Sequence, residues 1–156
     1  MKLHSRRSFL IGAAALTAAP KSLTAQSMPE MHVFKDPNCG CCSAWIEILE
    51  RDGFRVTTEA RSSGALVQEK VKRGIPAEMA SCHTADVDGY VIEGHVPARD
   101  VRKLLAARPD AIGLAVPGMP LGSPGMGPEH QREAYDVHLI LRNGSTEIFT
   151  RYEAAA

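Results

Sequence analysis

Three of the four cysteines in this chain lie within four consecutive positions, in the motif Cys39-Gly40-Cys41-Cys42. The motif follows a strand-like run at residues 31–35 and a turn at residues 36–38, and it leads into a helical pattern that begins near Ser43. The positive end of a helix dipole lowers the pKa of nearby thiols, which makes them nucleophiles or metal ligands. The sequence therefore predicts a reactive thiol cluster where a strand passes into a helix.

The spacing of these thiols leaves several interpretations open. Cys39 and Cys42 form a C-x-x-C pair, whereas Cys41 is a third thiol that a simple dithiol switch does not need. Three soft sulfur atoms so close together favour a thiophilic metal, with Cu(I) first and then zinc or an iron–sulfur cluster. The alternative is a structural disulfide with two spare thiols, but three thiols on one turn are poorly placed to cross-link a fold.

The beginning of the chain has the pattern of an export signal. Ser5-Arg6-Arg7-Ser8-Phe9-Leu10 precedes an apolar run at residues 11–19, and no acidic residue occurs before Glu30. This pattern is typical of a bacterial twin-arginine signal, and the apolar run is shorter than the ~20 residues of a spanning helix. We predict that residues 1–25 are the signal, removed near Ala25, and that residues 26–156 form one periplasmic domain. The alternative is an uncleaved anchoring segment.

Charge excludes one class of partner. The chain has 18 Lys+Arg and 18 Asp+Glu, and four of the basic residues but none of the acidic ones lie in residues 1–25, so the predicted mature chain has a net charge of about −4. A nucleic-acid-binding domain normally carries a basic face, so this balance argues against one. The mature chain contains no further apolar run long enough to span a membrane.

Hydrophobic periodicity predicts strands at residues 31–35 and 54–59, helices at 43–51, 64–73 and 98–108, and a hairpin over residues 79–93. This β-α-β-α-β-β-α order is that of the thioredoxin-like α/β fold. Pro76 follows the second helix, where thioredoxin-like proteins carry a cis-proline, and its position favours a cis bond. A C-terminal loop rich in methionine, glycine and proline and an extra β-hairpin at residues 135–141 and 146–152 complete the prediction.

Further candidate ligands lie outside the cluster. Cys82 is expected on the strand after Pro76, next to the strand that leads into the cluster, as a fourth thiolate, a resolving thiol or an inert buried cysteine. Neighbouring strand residues point to opposite faces, so His83 is expected to face away if Cys82 faces the cluster. His95 is expected in a turn before the third helix. Met119 and Met126 offer thioethers that suit Cu(I), although methionine often only fills space in a loop.

The motifs also resemble a known family. Four segments carry the likeness, which extends over residues 31–152: Cys39-Gly40-Cys41-Cys42, residues 81–85, residues 89–98 and residues 113–126. They resemble the CopG-type periplasmic copper-resistance family. The resemblance implies a thioredoxin-like fold, a copper site at Cys39, Cys41, Cys42 and Cys82, and a role in periplasmic copper handling with oxidoreductase activity as one form of that role. The transfer of His83, Met119 and Met126 as ligands is weaker.

Three functional hypotheses follow. In the first, the four cysteines hold Cu(I), one ion or more, with zinc as a substitute, for copper resistance or homeostasis. In the second, the protein is a thiol–disulfide or copper oxidoreductase in which Cys39 attacks and Cys42 resolves. In the third, the same residues and the loop at residues 116–128 deliver copper to another periplasmic copper-handling protein.

Overall fold

The structure, a computed structural model, describes residues 28–156 as one mixed β-sheet with helices packed on it. The predicted export signal at residues 1–25 lies outside the described residues. The elements are β1 Glu30–Lys35, α1 Gly40–Arg51, β2 Arg55–Ala60, α2 Ser63–Lys72, β3 His83–Val87, β4 Tyr90–Glu93, α3 Ala98–Ala107, β5 Ala111–Ala115, β6 Tyr135–Leu141 and β7 Thr146–Tyr152. Short 3₁₀ turns occupy Ala77–Met79 and Glu129–Gln131.

The seven strands lie in the order β2-β1-β3-β4-β5-β6-β7. β1 is parallel to β2 and β4 is parallel to β5, while the other neighbouring pairs are antiparallel. In the β1–β3 register, Lys35 at the end of β1 pairs with His83 at the start of β3. The two chain segments that carry cysteines therefore meet at one end of the sheet.

The α/β class is confirmed, and the element order up to α3 is the predicted one. The more specific thioredoxin-like assignment stays a prediction. Strand β5 was not predicted, because its short apolar run contains Gly113 and continues into a glycine- and proline-rich segment. Gly113 has a structural reason: a Cβ there would collide with the backbone of Val91 in β4.

Two local predictions are wrong. No peptide bond in residues 28–156 is cis, so the predicted cis bond before Pro76 does not occur. Gly74, with φ +71°, ends α2, and Pro76 in trans begins the 3₁₀ turn that leads towards β3. Cys82 is also not on a strand, because β3 begins only at His83.

The core positions α1 against the sheet. Trp45 and Leu49 of α1 are fully buried among strand residues such as Val33 and Ile92. The indole N–H of Trp45 donates to the carbonyl oxygen of Val96 at 2.9 Å, which ties α1 to the segment just before α3. None of the helices within residues 28–156 is long and apolar enough to cross a membrane.

Candidate metal centre

The first turn of α1 is built from the cysteine motif itself. Cys39 is the N-cap residue, and its Sγ accepts the backbone N–H of Cys42 at 3.3 Å. The backbone N–H of Cys39 donates to the carbonyl oxygen of Asp36 at 3.1 Å, which closes the preceding turn. The helix therefore begins at Gly40, three residues earlier than predicted, so all three thiols lie within its positive N-terminal end.

The four cysteines lie together. Cys39 and Cys42 are joined by a disulfide, while Cys41 and Cys82 are free thiols. The Sγ of Cys82 is 3.5 Å from that of Cys42 and 3.8 Å from that of Cys41, and the Sγ atoms of Cys39 and Cys41 are 3.4 Å apart. All four sulfur atoms lie within 4.8 Å of one another. Cys42 is fully buried, whereas the other three are partly exposed.

Two histidines extend this cluster on one side of Cys82. The Sγ of Cys82 is 3.3 Å from the Nδ1 of His83 and 3.1 Å from the Nε2 of His95. Both imidazoles are fully buried, and their rings meet edge-on at 5.0 Å between centroids. His83 also lies against the Trp45 ring, with centroids 4.3 Å apart. Cys82, His83 and His95 thus form a second group of potential ligands that shares a sulfur with the first.

The position of His83 differs from the sequence expectation. Strand alternation would place His83 and Cys82 on opposite faces, but that rule applies only within a strand. Cys82 lies in the bend before β3, where the backbone is free to turn its side chain towards the His83 ring. The same bend lets Cys82 contact α1.

The tautomer of His95 follows from its hydrogen bond. Its Nδ1 lies 2.8 Å from the carbonyl oxygen of Pro124, and a carbonyl only accepts, so Nδ1 carries the proton. The lone pair is therefore on Nε2, which points at Cys82. A backbone carbonyl on the far nitrogen is the arrangement that orients metal-binding histidines.

Burial sets the protonation of these groups. It lowers the pKa of His83 well below its usual range, with the neighbouring His95 ring and the Lys70 ammonium acting in the same direction. Burial also lowers the pKa of His95, against the effect of its bond to Pro124. Both imidazoles are therefore neutral, the form that binds metals. Burial, together with the neighbouring Cys41, raises the pKa of the Cys82 thiol to about 12, so Cys82 is protonated until a metal or base takes its proton.

One ring nitrogen in the site lacks a hydrogen-bond partner. The Nε2 of His83 is the only buried side-chain nitrogen or oxygen within residues 28–156 that has no hydrogen-bond partner. Leaving such a group unpaired costs about 1–3 kcal/mol. The chemistry of the set, soft thiols with neutral imidazoles, fits Cu(I) or zinc far better than a hard cation.

The C-terminal loop packs on the centre. The backbone of Gly125 (φ +84°) approaches α1 so closely that a Cβ would lie 2.7 Å from the backbone nitrogen of Trp45 and 2.8 Å from the carbonyl oxygen of Cys41. Of the two predicted thioether ligands, Met126 directly follows Gly125 and is partly buried, whereas Met119 is 54% exposed. Their role as ligands stays a prediction.

His95 was considered from the sequence but not placed among the main ligands. Its position depends on Gly94, whose φ of +71° turns the chain back, and on the loop that carries Pro124. A side chain at Gly94 would collide with Ser81 and would lie 2.7 Å from the Val116 carbonyl oxygen. The sequence signal that could have found it is the glycine between Glu93 and His95, since glycine is the residue that turns there without strain.

Comparisons with known proteins agree with this chemistry. The family described as "Protein of unknown function, DUF411" matches residues 79–126. A solved structure of a copper resistance protein CopG, Form 1, is 43% identical, with a TM-score of 0.75, covering 81% of this chain and 99% of that one. Form 2 is also 43% identical, with a TM-score of 0.74, covering 80% and 98%. No protein with a curated description matches.

Proposed function

The chain belongs to the CopG copper-resistance family, and on that premise we propose that it is a periplasmic protein of copper resistance or homeostasis that holds Cu(I) on Cys39, Cys41, Cys42 and Cys82. Both the family and the clustered cysteines suggest copper binding. The observation that carries the proposal is the convergence of four sulfur atoms within 4.8 Å. Thiolate is the ligand that selects Cu(I). The Cys39–Cys42 disulfide must therefore be reduced by two electrons before all four sulfur atoms can bind the metal.

His83 and His95 complete the proposed ligand set. Cys82 lies between the cysteines at the N-terminal end of α1 and the two imidazoles, so its sulfur would serve as a ligand common to both groups. Zinc, which takes the same sulfur and nitrogen ligands, is the expected substitute when copper is scarce. Met119 and Met126 remain candidate thioether ligands on the loop that packs against α1.

The experiment is a Cu(I) titration of the reduced protein, without oxygen, against a competing chelator. We expect tight binding of at least one ion, and we expect Cys41→Ser and Cys82→Ser to weaken binding as strongly as Cys39→Ser. His130→Gln, at an exposed position in the turn Glu129–Gln131, is the matched control. Equal copper affinity in the wild type and all four cysteine variants would refute the cysteine site.

A second function is favoured by the disulfide itself. Cys39 is partly exposed and caps the helix, whereas Cys42 is buried beneath it, which is the arrangement of an attacking and a resolving cysteine. As an oxidoreductase, reduced Cys39 would attack a partner disulfide, and Cys42 would displace the reduced partner to form the Cys39–Cys42 bond. Only Cys39 and Cys42 would then be indispensable for turnover, and Cys41→Ser would retain it.

Export and delivery complete the proposal. We propose that residues 1–25 direct twin-arginine export, so that replacing Arg6 and Arg7 with lysine keeps the protein in the cytoplasm in a fractionation experiment. Met119 and Leu121 are exposed on the loop beside the centre. They are the candidate surface from which copper passes to other periplasmic copper-handling proteins.

A further inference from the structure

A buried polar network lies beneath the Cys82 bend. The carboxylate of Glu93 is fully buried, and its Oε1 accepts the Lys70 ammonium at 2.5 Å and the backbone N–H of Ser81 at 2.6 Å. Its Oε2 accepts the Thr84 hydroxyl at 2.7 Å. Lys70 also donates to the Thr84 hydroxyl oxygen at 2.9 Å, so the three side chains form a closed ring of hydrogen bonds.

Three residues of the network, Ser81, Thr84 and Glu93, lie within two positions of a proposed ligand in the sequence. Ser81 precedes Cys82, Thr84 follows His83, and Glu93 is separated from His95 only by Gly94. Thr84 and Glu93 are paired in the β3–β4 register and share a face, and Lys70 reaches that face from α2. His83 points to the opposite face, towards Trp45 of α1. The network and the metal centre therefore lie on the two sides of the same strand ends.

The hydrogen bond from the Ser81 N–H to Glu93 connects the network to the Cys82 bend, which is also tied to Gly118 through the Ser81 hydroxyl and the Ala80 carbonyl oxygen. Cys82 is outside any strand, so no ladder of hydrogen bonds fixes its backbone. The Ser81 N–H is held by a charged acceptor, and such bonds are roughly twice as strong as neutral ones. The Lys70 ammonium balances the charge of the Glu93 carboxylate. Burying that carboxylate without an opposite charge beside it would be costly.

We propose that Glu93 is a positioning residue for copper binding, which holds the Ser81 amide and thereby aims the Cys82 sulfur at the cysteines of α1 and at the two imidazoles. This inference rests on the proposed copper site and adds to it a residue that touches no metal ligand side chain. Residues that hydrogen-bond to a metal ligand typically change metal affinity by about 10- to 100-fold when they are removed, and Glu93 acts one residue further out, through the Ser81 backbone.

The test separates positioning from charge and from stability. Lys70→Met with Glu93→Leu removes the ion pair and the acceptor for Ser81 together, and replacing a buried pair with apolar residues often leaves stability unchanged. Lys70→Met with Glu93→Gln removes the same charges but keeps an amide oxygen to accept the Ser81 N–H. Asp100→Asn, which changes another buried carboxylate bonded to Thr150 and Tyr152, controls for general destabilisation.

We expect the double variant Lys70→Met/Glu93→Leu (the leucine pair) to bind Cu(I) at least about tenfold more weakly than the wild type. The double variant Lys70→Met/Glu93→Gln (the glutamine pair) should remain within about threefold of the wild-type affinity. In the copper-free oxidised protein, where Cys41 and Cys82 are the free thiols of residues 28–156, we expect faster modification of Cys82 by iodoacetamide in the leucine pair. Peptide mass mapping distinguishes Cys82 from Cys41.

A second variant removes the Ser81 N–H and leaves Lys70 and Glu93 unchanged, although it also removes the Ser81 hydroxyl that donates to the Gly118 carbonyl oxygen. Ser81→Pro deletes the N–H that Glu93 accepts, and the extended Ala80 before it (φ −65°, ψ 142°) tolerates a following proline. Ser81→Ala keeps the amide and is its control. Wild-type Cu(I) affinity and an unchanged Cys82 modification rate in Ser81→Pro, or in a folded leucine pair, would overturn the inference. A wild-type protein without Cu(I) affinity would refute the copper site instead, and the modification rates would still test the positioning.

Discussion

The Nε2 of His95 lies 3.1 Å from the Sγ of Cys82, and the opposite ring nitrogen of His95 donates to the carbonyl of Pro124. One imidazole thus connects the cysteine cluster to the C-terminal loop. Because the tautomer is fixed by the loop, the lone pair always faces the sulfur. Through this relationship the fold directs the His95 lone pair at the Cys82 sulfur.

His95→Gln is therefore expected to weaken Cu(I) binding by at least about tenfold, because it removes a nitrogen ligand and its hydrogen bond to the loop. Competition with a Cu(I) chelator measures the change. His83→Gln is expected to act in the same direction. His130→Gln should leave affinity unchanged, since that side chain is exposed on a separate turn. Unchanged affinity in both His83→Gln and His95→Gln would limit the site to the cysteines.

The thiol of Cys82 should titrate far from the ordinary range. Its pKa is raised to about 12 from an ordinary value of 9.0, mainly by burial. At pH 8 its thiolate population is then about a thousandfold smaller than that of an ordinary thiol. Modification of Cys82 by iodoacetamide, measured without copper and with the Cys39–Cys42 disulfide intact, should be slow at pH 8 and still increase above pH 10.

The same thiol in the unfolded chain provides the reference for this titration. There the rate should be half-maximal near pH 9 and level off by about pH 11, so a midpoint near pH 9 in the folded protein would contradict the expected burial. The shift also affects stability. The folded pKa is above the unfolded one, so the unfolded thiol ionises first, and stability should fall as pH rises from about 9 towards 12.

The sequence predicted the parts of this molecule that local patterns determine. The thiol cluster at the strand-to-helix junction and the strands Tyr135–Leu141 and Thr146–Tyr152 could be found because alternation, turn residues and helix periodicity are local signals. The bounds of β6 and β7 match the predicted ones.

Features that depend on contacts distant in sequence could not be predicted in the same way. The orientation of His95 requires the turn at Gly94 and a carbonyl from Pro124, and β5 is recognisable as a strand only once β4 and β6 flank it. Cys82 was assigned to a strand because the sequence does not show where the bend ends. The ring formed by Lys70, Thr84 and Glu93 likewise joins three different elements.

Trp45 should report copper binding directly. It is the only tryptophan of the chain, it is fully buried, and its ring lies 4.3 Å from that of His83. Copper bound at His83 and Cys82 should therefore quench the Trp45 emission in step with the titration. Cys82→Ser should lose most of the quenching, and Mg²⁺, which prefers oxygen ligands, should cause none. Copper binding by the wild type with unchanged Trp45 emission would place the metal away from His83.

The contact of Gly125 with α1 gives a test of the loop. Gly125→Ala is expected to cost about 1–3 kcal/mol of unfolding free energy and to weaken Cu(I) binding, because the new Cβ would push the loop away from Cys41 and carry the Pro124 carbonyl away from His95. Gly144→Ala, in the turn between β6 and β7, is the matched control: it has φ +83°, but no atom lies within 4 Å of its added Cβ. It should share the backbone cost of about 1 kcal/mol and keep its copper affinity. Thermal unfolding and chelator competition measure both effects. Equal copper affinity in the two variants would show that the loop does not hold the metal centre in place.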